Sequence, residues 1–447
     1  AHMDIEERTE GSFLQGAPVI AVDSLDGTGI DELRDALDTL TSVAPTATNT
    51  KRPRLWIDRS FAATGAGSVV TGTLTGGRLR VDDELVLVPG ENRGRIRAIQ
   101  TQGEPRTKID PGHRVALNLV NVDHHILGRG VALVLADQWH RTKKFDATIR
   151  ILTSLEHEVS RRGAFSLYIG SGEWPVSIRV LGPNRLAPGS EGQIRVFLPE
   201  YLPLLPGDRF VLRESGRDET IGGGQVLDVD PIVKASEAQP DLSVDRVVTE
   251  RGWIKTDELE RLTGVATEPV LGDWVAPPSV LAAMEEEVRS QINQAGPLGL
   301  DIALLDERGR LVIAGLNGIE VLEGRARPLG QEDVFVDHPL VDELEANPFS
   351  PSQPAELSSG EIRGLIQRGT VIQNDGVLFA ASAIDKAADV VAHLLEERPG
   401  GVTVAEIRDA LGTTRKFALP ICAVLDSTGV TRRREDQRIA GPRLPEI

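Results

Sequence analysis

Residues 57–73 read "IDRSFAATGAGSVVTGT", and this stretch decides how the central part of the chain is interpreted. The glycines Gly65, Gly67 and Gly72 invite comparison with a dinucleotide-binding fingerprint. That fingerprint needs a helix after the glycines, because the helix N-terminus holds the phosphates. Here the glycines run into "SVVTGTL", which has the character of a strand. The stretch therefore predicts a tight β turn with close backbone approach, and no phosphate site.

Strand-like segments continue on both sides of this stretch. From Arg54 to about Val229 they are short and broken by Gly and Pro, as in "DELVLVP", "RVALNLV", "FSLYIG" and "GQIRVFL". Many short strands with frequent turns predict antiparallel barrels. The stretch "DQWHRTKKF" at 137–145 is the predicted junction, which gives one β-barrel at 51–138 and a second at 139–232.

The N-terminal stretch "VIAVDSLDGTGIDELRDAL" at 19–37 has a different pattern. It predicts a strand at Pro18–Val22, a turn at Leu25–Gly29 and a helix at Ile30–Leu40. Many P-loop GTPase domains end in this way. We therefore interpret residues 1–42 as a short α/β remnant of such a domain. The apolar face of its helix is formed by Ile30, Leu33, Leu37 and Leu40.

Nucleotide-binding motifs are missing from the printed sequence. It contains neither Gly-x-x-x-x-Gly-Lys-Ser/Thr, which cradles phosphates, nor Asn-Lys-x-Asp, the usual reader of guanine. We expect that this chain, by itself, does not hydrolyse GTP, that it holds no cofactor and that it has no catalytic residue.

Composition restricts the classes of partner. The net charge of −18 disfavours broad nucleic-acid binding, although a local basic patch on an acidic body would bind selectively. The single cysteine excludes a disulfide framework and a cysteine-based metal site. No apolar run reaches the ~20 residues that span a membrane, and no signal peptide is apparent. We expect a soluble, cytoplasmic, monomeric protein that has no membrane partner.

The C-terminal part is helical with short hairpins. A weak repeat of two helices and a hairpin occurs at 360–382 and again at 404–441, and "NDG" in the first copy signals a tight turn. Two helices with a β-wing are the winged variant of the helix-turn-helix. The sequence predicts three or four such units, with winged-helix repeats at 237–384 and a last winged helix at 385–447.

The last unit carries a local excess of positive charge. Its second helix predicts one buried face, formed by Ala418, Ile421, Cys422 and Leu425. Either Thr413 or Thr414 is expected to cap that helix. From Thr413 to Arg443 there are seven basic and three acidic residues, with a hairpin turn predicted near Glu435–Asp436. A solvated charge run is the alternative to an RNA-binding surface formed by Arg415, Lys416, Arg432, Arg433, Arg434 and Arg438.

Two other stretches have the residue types of a site but favour simpler interpretations. "DPGH" at 110–113 leads into a strand and predicts a turn. His124 and His125 form a possible metal pair, but we see no nearby Cys or carboxylate that completes a ligand set. A solvated loop is the favoured interpretation, so no metal site is predicted.

Four stretches together resemble the SelB family of selenocysteine-specific elongation factors: "IDRSFAATGAGSVVTGTLTGGRLRVDDELVLVP", "IRAIQTQG", "PGHRVALNLVNVD" and "DRFVLRES…GGGQVLDV". The resemblance extends from about Gly11 to the end of the chain. It implies a GTPase domain that uses GTP and Mg²⁺ in the intact family, two barrels like those of elongation factor Tu, and an arm of tandem winged helices. Asp23 stands where the family usually has Ser or Thr, and Glu435 where it often has Gly.

The resemblance also implies a function and its partners. Members deliver selenocysteinyl-tRNA to the ribosome at UGA codons, and their last winged helix binds a hairpin in the mRNA. Such recognition uses phosphates, stacking and unpaired bases. The alternative is a winged-helix DNA-binding regulator with β-barrel ligand domains and no role in translation. A mobility shift with hairpin RNA against duplex DNA separates the two.

In the first barrel, the resemblance implies that Asp58, Arg59 and Arg114 form the pocket for the selenocysteinyl end of the tRNA. A selenol is largely ionised at neutral pH, whereas serine and most thiols are not. Two permanently charged guanidinium groups would favour the selenolate, with Asp58 orienting them or meeting the α-amino group. The alternative is a strand-end salt bridge between Asp58 and Arg59, with Arg114 on a solvated face.

Overall fold

The computed structural model describes residues 2–63, 67–331, 335–353 and 359–446. The chain divides into two compact units, Ala1–Pro277 and Pro278–Ile447. The first contains an N-terminal α/β region and two barrels, and the second contains helices with short hairpins. This confirms the predicted fold class of consecutive antiparallel barrels followed by winged helices.

The N-terminal region contains helices α1 (His2–Thr9) and α2 (Ile30–Val43). Helix α2 confirms the predicted helix, but no residue of its apolar face is buried, and Leu40 is 62% exposed. Residues 18–22 form no strand with the described part of the chain. The prediction of a strand there differs from the structure because extended backbone becomes a strand only when a second segment pairs with it.

The first barrel is formed by strands joined in the order β4–β9–β1–β2–β8–β5, with β6 added beside β5. Pairing between β4 and β5 joins the two ends of this sheet into a ring, and the short strands β3 and β7 pair with each other. Leu55, Val70 and Leu117 are among the fully buried residues of its core. The strands are β1 (Arg54–Ala63), β2 (Gly67–Thr75), β3 (Leu79–Arg80), β4 (Glu84–Val88), β5 (Arg93–Thr101), β6 (Glu104–Arg106), β7 (Lys108–Ile109), β8 (Arg114–Val120) and β9 (Ala132–Leu135).

The second barrel is closed in the order β10–β15–β13–β12–β16–β17, and β11 pairs with β14 beside it. Phe145 lies fully buried in its core and meets Phe210 edge to face at 6.1 Å between ring centroids. The strands are β10 (Thr142–Ile151), β11 (Val159–Ser160), β12 (Phe165–Ile169), β13 (Gly172–Leu181), β14 (Arg185–Leu186), β15 (Glu191–Leu202), β16 (Arg209–Glu214) and β17 (Glu219–Asp228). The segment 137–145, predicted as the junction, contains the end of the connection from β9 and the start of β10.

The two barrels are joined by two polar contacts and one steric contact. Arg54, which is 8% exposed, donates two hydrogen bonds of 2.6 Å to the Asp208 carboxylate. Gly170 lies against the ring of Trp56 so closely that a Cβ there would be 2.3 Å from a ring carbon. Ser171 Oγ donates to the Ile57 carbonyl at 2.6 Å. Because these contacts combine a nearly buried ion pair with close packing, they hold the barrels as a fixed pair.

The first helical module belongs to the same compact unit. It comprises α3 (Val244–Arg251), β18 (Ile254–Lys255), α4 (Thr256–Thr263) and β19 (Trp274–Val275). Val247 and Leu259 lie in the same hydrophobic cluster as the second barrel, and Arg246 donates to Asp228 of β17 at 2.9 Å. The start of the winged-helix arm predicted at residue 237 therefore falls inside the first compact unit, because this module shares the core of the second barrel.

The second unit repeats an arrangement of helices followed by a hairpin. Two of its sheets have the same order, β20–β22–β21 and β25–β27–β26, in which a short strand before the second helix pairs with the wing. Its elements are α5 (Pro278–Gln294), β20 (Leu300–Asp301), α6 (Glu307–Gly315), β21 (Ile319–Leu322), β22 (Arg325–Pro328), α7 (Pro339–Ala346), α8 (Ser359–Gln367), β23 (Val371–Asn374), β24 (Val377–Ala380), α9 (Ala381–Glu397), β25 (Val402–Thr403), α10 (Val404–Ala410), α11 (Arg415–Thr428), β26 (Thr431–Arg434) and β27 (Gln437–Ala440).

The turn predicted at "NDG" is confirmed. Asn374 pairs with Val377, so the loop has two residues, Asp375 and Gly376, at φ 48° and 75°. Positive φ at both central residues is the type I′ geometry that suits the twist of a hairpin.

Candidate functional site

The predicted pocket lies at a β-bulge in the first barrel. Ile57 pairs with Gly72 of β2, and Arg59 pairs with Thr71, so Asp58 is an extra residue without a partner across the ladder. A bulge bends the strand locally and re-aims a side chain. A Cβ at Gly72 would lie 2.2 Å from the Trp56 carbonyl oxygen, so the close backbone approach predicted from the glycines is present. The glycines lead into strand β2, as predicted, and Gly65 lies outside the described residues.

The Asp58 carboxylate receives donors from two neighbouring strands. Thr71 Oγ1 on β2 donates to Asp58 Oδ1 at 2.6 Å. Arg114 Nη2 on β8 lies 3.0 Å from Oδ1 and 2.9 Å from Oδ2. The side chain of Asp58 is 31% exposed and that of Arg114 is 58% exposed. A ligand in solvent can therefore approach both groups.

Arg59 differs from the other two pocket residues. It is exposed, and it makes no hydrogen bond or ion pair with any residue that the structure describes. The alternative of a salt bridge between Asp58 and Arg59 is not what forms, since the carboxylate is paired with Arg114. The structure thus joins Asp58 to Arg114 and leaves the charge of Arg59 uncompensated. The three side chains together carry a net charge of +1.

The "DPGH" segment forms the predicted turn, with Gly112 at φ 91°. Arg78 donates to both oxygens of Asp110, at 2.7 and 3.1 Å. The hydrogen bond from the Arg78 guanidinium lowers the pKa of Asp110 below its usual range. This carboxylate therefore serves the loop and is not directed at a phosphate.

The histidine pair has a carboxylate beside it, contrary to the sequence interpretation. Asp123, His124 and His125 bring one ligand atom each within 4.8 Å of one another on an exposed 3₁₀ turn. This carboxylate belongs to the residue directly before the two histidines, so the sequence prediction that none is nearby is wrong. Asp123 Oδ1 already accepts the backbone N–H of His125 at 2.9 Å, so it has a structural role as the cap of this turn.

The last winged helix, residues 381–440, has the predicted core. Ala418, Ile421, Cys422 and Leu425 of α11 are all fully buried. Burial raises the pKa of the Cys422 thiol to about 11, so this group stays protonated at neutral pH. Arg415 and Lys416 are exposed in the first turn of the helix, where the helix dipole disfavours cations.

The predicted threonine cap is not formed. Thr414 occupies the N-cap position of α11, but its side chain makes no capping hydrogen bond. The Thr413 hydroxyl instead donates to the Phe349 carbonyl and contacts the Ser350 hydroxyl. The prediction failed because a residue distant in sequence competes for the Thr413 hydroxyl.

The wing hairpin presents arginines on its free face. The loop is Glu435–Asp436, as predicted, because Arg434 pairs with Gln437. Side chains alternate between faces along a strand, so Arg432 and Arg434 share one face and Arg433 lies on the other. All three are exposed, and neither Arg432 nor Arg434 makes a hydrogen bond or ion pair with the described residues. This face therefore offers two uncompensated guanidinium groups.

Arg438 is a correction to the predicted RNA-binding set. It is 7% exposed, and its guanidinium lies 3.3 Å from Asp426 Oδ2 of α11. Asp426 also accepts a hydrogen bond of 2.6 Å from the Thr431 hydroxyl. Arg438 is on the hairpin face that packs against α11, so it ties the wing to the helix and is not available to a partner.

Two structural partners, Thr71 and Asp426, were not identified from the sequence. Thr71 lies in the middle of "SVVTGTL". The bulge at Asp58 changes the pairing of β1 with β2 by one residue, so a regular pairing inferred from the sequence does not place Thr71 beside Asp58. Asp426 is one of the three acidic residues in the basic stretch. An acidic residue among so many arginines was the sequence signal that one of them has an ion-pair partner within the protein.

A family model described as "Elongation factor SelB, winged helix" matches residues 393–440. The selenocysteine-specific elongation factor of Desulfomicrobium baculatum is 30% identical over 226 residues, which are 51% of this chain and 36% of that protein. That of Haemophilus influenzae is 31% identical over 49% of this chain and 34% of its own length. This chain therefore spans about a third of the length of these two relatives.

Two further relatives match over most of the chain. The selenocysteine-specific elongation factor of Escherichia coli is 25% identical over 93% of this chain and 74% of its own length. The crystal structure of a bacterial selenocysteine-specific elongation factor, EF-Sec, superimposes with a TM-score of 0.61 at 18% identity, over 98% of this chain and 77% of that one. At this identity the superposition shows the shared fold. The matched winged helix and the sequence relatives agree with this fold, so the chain is similar to the selenocysteine-specific elongation factors of the SelB family.

Proposed function

We propose that this protein acts in selenocysteine incorporation at UGA codons, with its first barrel holding the end of selenocysteinyl-tRNA and its last winged helix binding an mRNA hairpin. The observation that carries this proposal is the wing face with Arg432 and Arg434. Two guanidinium groups without partners in the described chain, on a protein of net charge −18, mark a local site for an anion. We expect it to act at the ribosome, in the cytoplasm and as a monomer.

The chemistry of arginine supports RNA as that anion. A guanidinium combines a permanent charge with a planar face, so it binds phosphates and stacks on unpaired bases. Arg415 and Lys416 add two exposed cations at the start of α11. A hairpin loop offers both phosphates and splayed bases, whereas a uniform duplex offers mainly phosphates to a wing of this size.

The pocket charges support selenocysteine as the amino acid. A selenolate carries the single negative charge that would neutralise the net +1 of Asp58, Arg59 and Arg114, while the hydroxyl of serine carries none. Arg59 has no partner among the described residues, so we propose that its guanidinium and that of Arg114 together meet the selenolate. Asp58 orients Arg114, and a free acceptor position on its carboxylate would remain for the α-amino group.

The segment before α2 does not fit the GTP and Mg²⁺ that the intact family uses. Asp23 Oδ1 accepts the backbone N–H of Leu25 at 2.8 Å, and a Cβ at Gly29 would lie 2.0 Å from the Ala21 carbonyl oxygen. The turn is thus closed on itself, and the sequence given has no P-loop. We propose that these residues bind no guanine nucleotide.

A mobility-shift experiment tests the proposed function. The protein is titrated against a stem-loop RNA and against duplex DNA of equal length and charge. We expect tighter binding of the stem-loop and a loss of binding when its loop is closed into a continuous duplex. Equal or tighter binding of the DNA would instead support a winged-helix regulator of transcription.

A further inference from the structure

The pocket contains a third kind of side chain beside the acid and the arginines. We infer that Thr71 is a positioning residue, whose hydroxyl fixes the Asp58 carboxylate against Arg114 and thereby sets the preference for an anionic aminoacyl side chain. The inference rests on the proposed function of this pocket and names the residue that tunes its selectivity.

The bulge creates the need for such a tether. Asp58 has no partner across the ladder, so the strand pairing that orients its neighbours does not orient its side chain. Thr71 supplies the missing restraint with a hydrogen bond of 2.6 Å, the short distance typical of a hydroxyl donating to a carboxylate. Threonine suits this role because its branched Cβ restricts χ1, so the hydroxyl itself is held.

By holding the Asp58 carboxylate, Thr71 also restricts the position of the Arg114 guanidinium. Strands β1, β2 and β8 are neighbours in the sheet, and the contacts from Thr71 to Asp58 to Arg114 cross between them. Arg114 is more than half exposed, so without Asp58 its long side chain would sample many rotamers. If binding of the ligand had to immobilise this side chain, the lost conformational entropy would lower the affinity. A guanidinium that Asp58 already holds in place avoids that loss. Thr71 therefore acts on selectivity through two intermediate groups and needs no contact with the tRNA.

The chain offers matched variants for a test. Thr71→Val keeps the shape and removes the hydroxyl, and Thr71→Ser keeps the hydroxyl. Thr73→Val is the control, because Thr73 lies two residues along the same face of β2, opposite Arg114. Thr73 is exposed and makes no side-chain hydrogen bond within the described chain. Each protein is titrated with one tRNA body carrying either selenocysteine or serine.

We expect Thr71→Val to lower the preference for selenocysteinyl-tRNA over seryl-tRNA by about five- to tenfold, within the range that a typical intramolecular hydrogen bond contributes, with unchanged affinity for seryl-tRNA. Thr71→Ser and Thr73→Val should stay within about twofold of the parent. If the valine variant fails to fold, Thr71→Ala is measured in its place.

Three results would overturn the inference: an unchanged preference in Thr71→Val, an equal loss in Thr71→Ser, or an equal loss in Thr73→Val. The second would assign the effect to packing of the methyl group, and the third to the surface beside Arg114. A parent protein with no preference between the two tRNAs would refute the proposed function itself. That outcome is visible before any variant is measured.

Discussion

The arginines of the last hairpin should fall into two classes: exposed arginines that contribute to RNA binding, and a buried arginine that contributes to stability. Replacing Arg432 and Arg434 together by alanine removes two exposed cations that have no partner in the described chain. Replacing Arg438 by alanine removes a buried cation that is paired with Asp426. The first change should alter the affinity for RNA and its salt dependence, and the second should alter the stability of the wing.

The magnitudes follow from these environments. Each phosphate contact contributes about 0.7–0.9 to the slope of log affinity against log salt, so the double variant should flatten that slope by about 1.4–1.8. A fourfold rise in salt would then weaken the parent about seven- to twelvefold more than the variant. Loss of Arg438 leaves the Asp426 carboxylate, 23% exposed, without its counter-charge. We expect a cost of about 1.5–3 kcal/mol in the free energy of unfolding of the last winged helix.

Fluorescence anisotropy with a labelled stem-loop RNA, repeated across a salt series, measures the slope in the full chain. Hydrogen exchange of the amides of β26 and β27 measures the stability of the wing. The division of the arginines into two classes is wrong if Arg438→Ala flattens the slope as much as the double variant while the wing stays protected. It is also wrong if the double variant keeps the parental slope.

Three further predictions concern other parts of the chain. Gly170→Ala should destabilise the barrel pair by about 1–3 kcal/mol more than Gly182→Ala, because a Cβ at Gly170 would lie 2.3 Å from the Trp56 ring. Gly182 is the matched control, since it also has a positive φ, 80° against 62°, but nothing lies within 4 Å of its Cβ position; equal melting temperatures of the two variants would contradict the close contact. Glu435→Gly should stabilise the wing by a few tenths to about 1 kcal/mol, because Glu435 has φ 58°, and slower hydrogen exchange would confirm this while faster exchange would oppose it. A fluorescent GDP analogue should give no saturable signal with this chain, and micromolar binding that responds to Asp23→Ala would disprove that expectation.

Local sequence patterns predicted the features that depend on local geometry. The type I′ turn at Asp375–Gly376 and the buried face of α11 follow from residue preference and helical spacing, and both are present. The bounds of α2 were predicted to within three residues at its C-terminus. In each case, neighbours within a few residues determine the conformation.

Features that depend on distant residues were not predicted. The role of Arg438 is set by Asp426, and the hydroxyl of Thr413 is taken by Phe349 from another part of the fold. In the same way, a one-residue bulge shifts β1 against β2, so spacing along the sequence does not place Thr71 beside Asp58. A sequence gives residue types directly, but contacts between strands require the register.

The hydrogen bond from Ser171 to the Ile57 carbonyl has a consequence for how variants are interpreted. Ile57 immediately precedes Asp58, so a residue of the second barrel supports the backbone on which the pocket of the first barrel is built. A substitution at Ser171, 114 positions from Ile57 along the chain, should therefore appear in a selection experiment as altered amino-acid choice, even though it touches no ligand. Screens that assign specificity by distance from the cargo would misclassify it as a neutral or purely destabilising change.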